Sequence, residues 1–241
     1  MHLADDVVLM TSEHYGSIIK TLREAAHAVT EIGLFIMDAD PESPLDYYTA
    51  DARDELDASL FNSMHGYYRS GFSALRNILE YMTFALHLHF SNDTAVLDQW
   101  KKKETQIKFS DAGNKLSDRI ADKTIGRALF LKGDDKTPKG LIRALHKELC
   151  KYVHGAPGST DLDMRQSNGP IVVRAALNLW IKKYAETVIY LLFICAIAYS
   201  TVLEVQNEIF QNTMQNMIDL LEDEELKFKI ISIANALPIQ A

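Results

Sequence analysis

The sequence predicts an all-α fold, and three observations carry that prediction. Apolar residues recur at steps of three and four along most of the chain, no stretch alternates convincingly with a period of two, and glycine and proline together fill only 17 of 241 positions. An all-β sandwich of this length would need many more turn residues. The 47% apolar composition supports a substantial core, and with 24% charged residues it excludes a disordered or collagen-like chain. No repeat of fixed period is visible. Residues 1–241 therefore read as a single all-α domain, a bundle of long antiparallel helices.

The elements follow in order. Ser12 is a candidate N-cap for a helix over 12–38, with Ile18, Ile19, Leu22, Ala25, Ala26, Val29, Ile32 and Ile36 on its apolar side. The proline-bearing, acidic run at residues 38–44 ends it. A second long helix is expected from about Thr49 to about Phe90, weakened near Gly66 or Gly71 and stopped by Ser91, Asn92 and Asp93. Residues 93–108 read as a short helix with a lysine run, and 111–131 as another. Lys132 to Asp135 is a turn. Thr137, with Pro138 in the first helical position, is the start signal for a helix over 138–154. A glycine- and proline-bearing loop over 155–170 follows, long enough to be functional. An apolar helix over 171–206 with an irregular start, then helices 207–221 and 224–236, complete the chain. Residues 187–203 carry no charge, but 17 residues interrupted by Thr187, Ser200 and Thr201 fit a central core helix better than a membrane span.

Charge and cysteine content narrow the function. The net charge is −8, yet residues 1–60 hold 13 acids against 3 bases and residues 161–241 hold 10 acids against 6, whereas residues 61–160 hold 16 bases against 10 acids. A uniform nucleic-acid coat is excluded; a local basic face on the middle third is not. Two cysteines, Cys150 and Cys195, make no disulfide framework, and with an acidic N-terminus lacking a basic n-region they fit a cytoplasmic protein. No phosphate-binding glycine loop and no nucleophile elbow is present. His146, Cys150 and His154 step along one helix face, but three ligands spread over about 12 Å do not converge on one ion. His87 and His89 point to different faces. No metal and no cofactor is expected.

The helix ending at His154 carries the densest chemistry. At 100° per residue Arg143, Lys147 and His154 form one stripe, with Lys151 at its edge. Two cations beside an imidazole suit a phosphodiester: Arg143 and Lys147 would hold it, and His154, at a helix C-terminus before Gly155, would move a proton. The same positions also serve a helix end that needs cations and a glycine stop. On the preceding long helix Arg69 and Arg76 share a face, and Arg76 and Glu80 are spaced to pair.

The segment from Tyr67 to Glu80, followed later by Tyr152-Val153-His154-Gly155, resembles the HEPN superfamily over roughly residues 50–205, with helix 12–38 and the helices of 207–236 packed on that core. The resemblance implies an all-α bundle that dimerises, and, in active members, a metal-independent ribonuclease of toxin–antitoxin, antiviral or CRISPR-linked defence. Their motif is Arg, four to six residues, then His. Here Lys147, six intervening residues and His154 keep that spacing with Lys where the motif has Arg, and lysine lacks the two-pronged grip on phosphate. The expectations are an RNA-associated protein, with His154, Lys147 and Arg143 in a catalytic role and Lys151, Arg69 and Arg76 binding phosphate. The alternative is a non-catalytic HEPN-like interaction module working through dimerisation and acidic surfaces. Partners expected are a second copy, RNA or a nucleotide, or another protein, and no membrane.

Overall fold

A computed structural model describes residues 4–91, 94–102, 104, 108–134, 137–154 and 169–237, apart from the side chains at 47, 48, 94, 100, 101, 154, 202 and 203. The described chain is all-α. Its helices are α1 (Ala4–Ala39), α2 (Pro44–Met64), α3 (Tyr68–Ser91), α4 (Thr94–Lys101), α5 (Phe109–Arg119), α6 (Lys123–Phe130), α7 (Leu141–His154), α8 (Arg174–Ala198), α9 (Thr201–Val205), α10 (Asn207–Asp219) and α11 (Glu224–Ala236). The expected 12–38 helix begins two turns earlier, because Val7 and Thr11 are buried and the Thr11 hydroxyl donates to the Met64 carbonyl of α2.

The single helix expected over 49–90 is two. The first begins at Pro44 rather than near Thr49, capped by Ser43, whose Oγ accepts from the Leu45 amide. Gly66 ends it: at φ +81° it is the left-handed residue after the helix, with the Tyr67 amide bonded to the Asn62 carbonyl and the Gly66 amide to the Ser63 carbonyl. The chain reverses there, so α2 and α3 run antiparallel. Ser59 donates to the Gly71 carbonyl and Asn77 to Glu55, a register that descends on one helix as it rises on the other.

The 111–131 segment is also two helices, since Asp122 accepts from the amides of Thr124 and Ile125 and starts a new one. Pro138 is not the first residue of α7. The amide of Asp134 donates to the Thr137 carbonyl and that of Gly140 to the Leu131 carbonyl, which ties 137–140 back across the turn and delays the helix to Leu141. The 171–206 segment starts irregularly as expected, then divides at Tyr199 and Ser200 into α8 and α9. The expected loop over 155–170 lies, up to residue 168, outside the described residues.

The core sits around α8. Every residue from Tyr184 to Ala196 is buried, enclosed by α1, α3 and α10 along its length. That burial explains the absence of charge over residues 187–196, and no helix among the described residues is long and apolar enough to cross a membrane. The buried indole of α8 has a polar partner. Trp180 Nε1 donates to Ser59 Oγ at 2.9 Å, and the Ser59 hydroxyl in turn donates to the Gly71 carbonyl. Gly71 leaves no room for a side chain beside Ser63 Oγ and the Trp180 ring, so α2, α3 and α8 meet at one close point.

Candidate functional site

α7 lies antiparallel to α3 and carries its cations between α3 and α5. Arg69, at the start of α3, donates from Nη2 to the Val153 carbonyl at the end of α7 (2.8 Å). Further along α3, the Glu80 carboxylate bridges the two helices: its Oε1 accepts from Arg76 Nη2 at 2.6 Å and meets His146 Nε2 at 2.7 Å. The expected Arg76–Glu80 pair therefore forms, and it recruits a third partner.

The Glu80 cluster is charged on both sides. Burial alone would raise Glu80, but His146 and Arg76 outweigh it and hold the carboxyl below its ordinary range. Burial alone would lower His146, but Cys150 and Glu80 outweigh it and lift the imidazole above its ordinary value. The ring is further fixed by Phe109, stacked on it at a centroid distance of 3.8 Å and an angle of 14°. Cys150 lies one turn later, its Sγ 3.9 Å from both ring nitrogens.

Beside this cluster α3, α7, the start of α5 and the turn before α7 enclose a cavity of about 640 Å³. Among the described residues its walls present Arg76, Lys108, Lys132, Lys139, Arg143 and Lys147, with His146, against the single carboxylate of Glu80. Tyr81, Phe84 and Phe109 supply aromatic surface. All of these residues come from the basic middle third of the chain. An excess of cations around a concave, partly aromatic surface concentrates field lines and favours a phosphate-bearing ligand.

The stripe predicted from sequence divides between different tasks. Lys147 is exposed and faces the cavity. Arg143 also borders it but is only 9% exposed, and it is bound to the fold: Nη2 donates to the Ser110 carbonyl at 2.8 Å and to Asn114 Oδ1 at 2.7 Å. Gly113 makes that possible, because a Cβ there would come within 2.8 Å of the guanidinium. Arg143 thus joins α7 to α5 and contributes charge to the wall. Lys151 is exposed on α7. His154 is the last residue of α7, and its side chain lies outside the described residues, as does Gly155.

Arg69 and Arg76 both lie on the α3 face that meets α7, as their shared side suggested; Arg76 reaches the cavity and Arg69 the end of α7. Sequence reasoning missed Lys108, Lys132 and Lys139, which sit on short connections and share no helical period. The net positive charge of residues 61–160 was the only signal for them. His146 entered the sequence reading only as a metal ligand. Among the described residues no three His, Cys, Asp or Glu side chains are grouped to hold a metal ion. His87 is buried, and His89 packs against Tyr199 at 4.9 Å.

No family model matches the sequence, and no curated protein or solved structure matches it either.

Proposed function

We propose that this chain is a HEPN-like, RNA-associated protein that holds the phosphates of single-stranded RNA in the basic cavity between α3, α5 and α7. The observation that carries the reading is the cavity wall itself, with six Lys and Arg side chains against one carboxylate among the described residues. Lys147 and its neighbours supply exposed charge, and Phe109 and Tyr81 offer ring surface of the kind on which bases stack. In the catalytic form of the reading, a metal-independent ribonuclease of a defence or toxin-type system, His154 moves the proton. Lys147 and Arg143 then neutralise the phosphodiester, with Lys151, Arg69 and Arg76 extending the phosphate path along α3 and α7.

Incubation of the purified protein with RNA in EDTA, beside His154→Ala, tests the catalytic form. Cleavage by the wild type that vanishes in the variant supports it; equal cleavage by both removes His154 from the mechanism. A protein that binds RNA without cutting it retains the association and loses the nuclease.

A different observation favours the second reading, a non-catalytic HEPN-like module acting through dimerisation. Phe228 is 74% exposed on α11, beside Ile231 and an apolar cleft of about 390 Å³ against α6. Phe228 itself lines that cleft, and an exposed apolar patch of this kind can pair with its own copy across a two-fold axis. Sedimentation of wild type and Phe228→Asp tests it: a dimer abolished by the aspartate supports the reading, and a monomeric wild type removes it.

A further inference from the structure

We propose that Cys150 is a nucleophilic thiol, served by His146 and Glu80, that exchanges with low-molecular-weight disulfides. The three side chains form a continuous chain across two helices. Glu80 Oε1 on α3 meets His146 Nε2 at 2.7 Å, and Cys150 Sγ lies beside the same ring, 3.9 Å from both of its nitrogens. Carboxylate, imidazole and thiol in that order are the parts of an activated nucleophile: the acid orients and charges the ring, and the ring takes the thiol proton.

Two further features distinguish this thiol from a cysteine that merely fills space. His146 is clamped, with Phe109 stacked on its ring and Glu80 on Nε2, so the imidazole stays beside the sulfur. Arg76, also on α3, faces the same thiol, so the sulfur sees two cations against the one Glu80 carboxylate. Burial would raise the thiol, but His146 first and then Arg76 overcome it and bring it below its ordinary value. Cys150 is partly exposed, whereas Cys195 is buried. The second cysteine is an internal contrast: Cys195 is buried in α8 without such a cluster among the described residues, and burial pushes it up to about 12.

The step balances without a metal or cofactor. The Cys150 thiolate attacks one sulfur of the disulfide, the S–S bond breaks, and its electron pair leaves on the second sulfur. A new disulfide joins Cys150 to the first half, and the released thiolate takes up the proton that His146 removed. The incoming disulfide is the oxidant. This inference is independent of RNA binding, since its readout is a covalent mass change.

The test exposes the full-length folded protein to glutathione disulfide at pH 7 and follows intact mass and peptide maps. The expected result is one adduct per chain, on Cys150, formed faster than on the urea-unfolded chain. It is absent in Cys150→Ser and unchanged in Cys195→Ala. In Glu80→Gln and His146→Gln, each checked for helicity by circular dichroism, the rate falls severalfold, because less of the thiol is ionised. Native protein that reacts no faster than the unfolded chain, an adduct on Cys195, or a rate untouched in a folded Glu80→Gln or His146→Gln overturns the proposal.

Discussion

Glu80→Gln removes one negative charge from between two cations and leaves the shape of the side chain unchanged. In the wild type Oε1 holds Arg76 at 2.6 Å and His146 at 2.7 Å, with the carboxylate 27% exposed, Arg76 23% and His146 15%. Each hydrogen bond to a charged acceptor contributes roughly 1.5–3 kcal/mol, and a neutral acceptor keeps about half of that. Two such bonds put the cost of the substitution at about 2 kcal/mol near neutral pH. For a chain of this length that corresponds to a fall of roughly 4–8 °C in Tm.

The pH dependence is more diagnostic than the size. Glu80 titrates below its unfolded value of 4.5, so its contribution is complete above that value and is lost as pH falls through the depressed one. His146 titrates above its unfolded value of 6.5, so its contribution is complete below 6.5 and is lost as pH rises through the elevated one. Both are whole between those two unfolded values, and the stability difference between wild type and Glu80→Gln peaks there. On the alkaline side it falls only in part, because Arg76 remains charged and paired. Urea unfolding of both proteins from about pH 3.5 to about pH 9 measures this curve. A difference that stays flat across the range refutes the ion-bridge account of how α3 and α7 are joined.

Three smaller predictions follow from backbone and core geometry. Gly66→Ala is expected to cost at least about 2 kcal/mol, since the residue sits at φ +81° and a Cβ would meet the Ile171 backbone at 2.3 Å; chemical denaturation reads the loss. Gly16→Ala, on an exposed stretch of α1 with nothing within 4 Å, is expected to raise stability by about 0.5–1 kcal/mol in the same assay. Ser59→Ala leaves the Trp180 indole N–H without its acceptor in a fully buried site; a loss of about 1–3 kcal/mol is expected, with a shift in tryptophan fluorescence reporting the altered indole environment.

The sequence disclosed helices better than their ends. The apolar period from Ile18 to Ile36 and the uncharged run of α8 both reflect burial against a core, and periodicity reports burial directly. Breaks depended on side chains or distant partners that periodicity does not see. Asp122 splits the 111–131 segment by capping through its carboxylate, a local signal overlooked because the apolar spacing continues across it. Pro138 looked like a helix start, but the bonds from Asp134 and Gly140 across the turn hold it outside α7. At the site the same division holds. Arg76 and Glu80 are four apart on one helix, so their pairing was legible. His146 joins them from 66 residues away, and only the packing of α3 against α7 brings it there. Lys108, Lys132 and Lys139 share a cavity but no helical face, so only their summed charge was visible in the chain.

The central claim is that the cavity holds RNA phosphates through its surplus of cations. Fluorescence anisotropy of a labelled single-stranded RNA, titrated with wild type and with Lys147→Glu over a range of salt, tests it most directly. The account predicts binding that weakens linearly in log salt, and a variant that binds less tightly, its slope smaller by roughly 0.7 for each phosphate it no longer neutralises. A wild type that does not bind at low salt, or one whose affinity and slope are unchanged by Lys147→Glu, would contradict it.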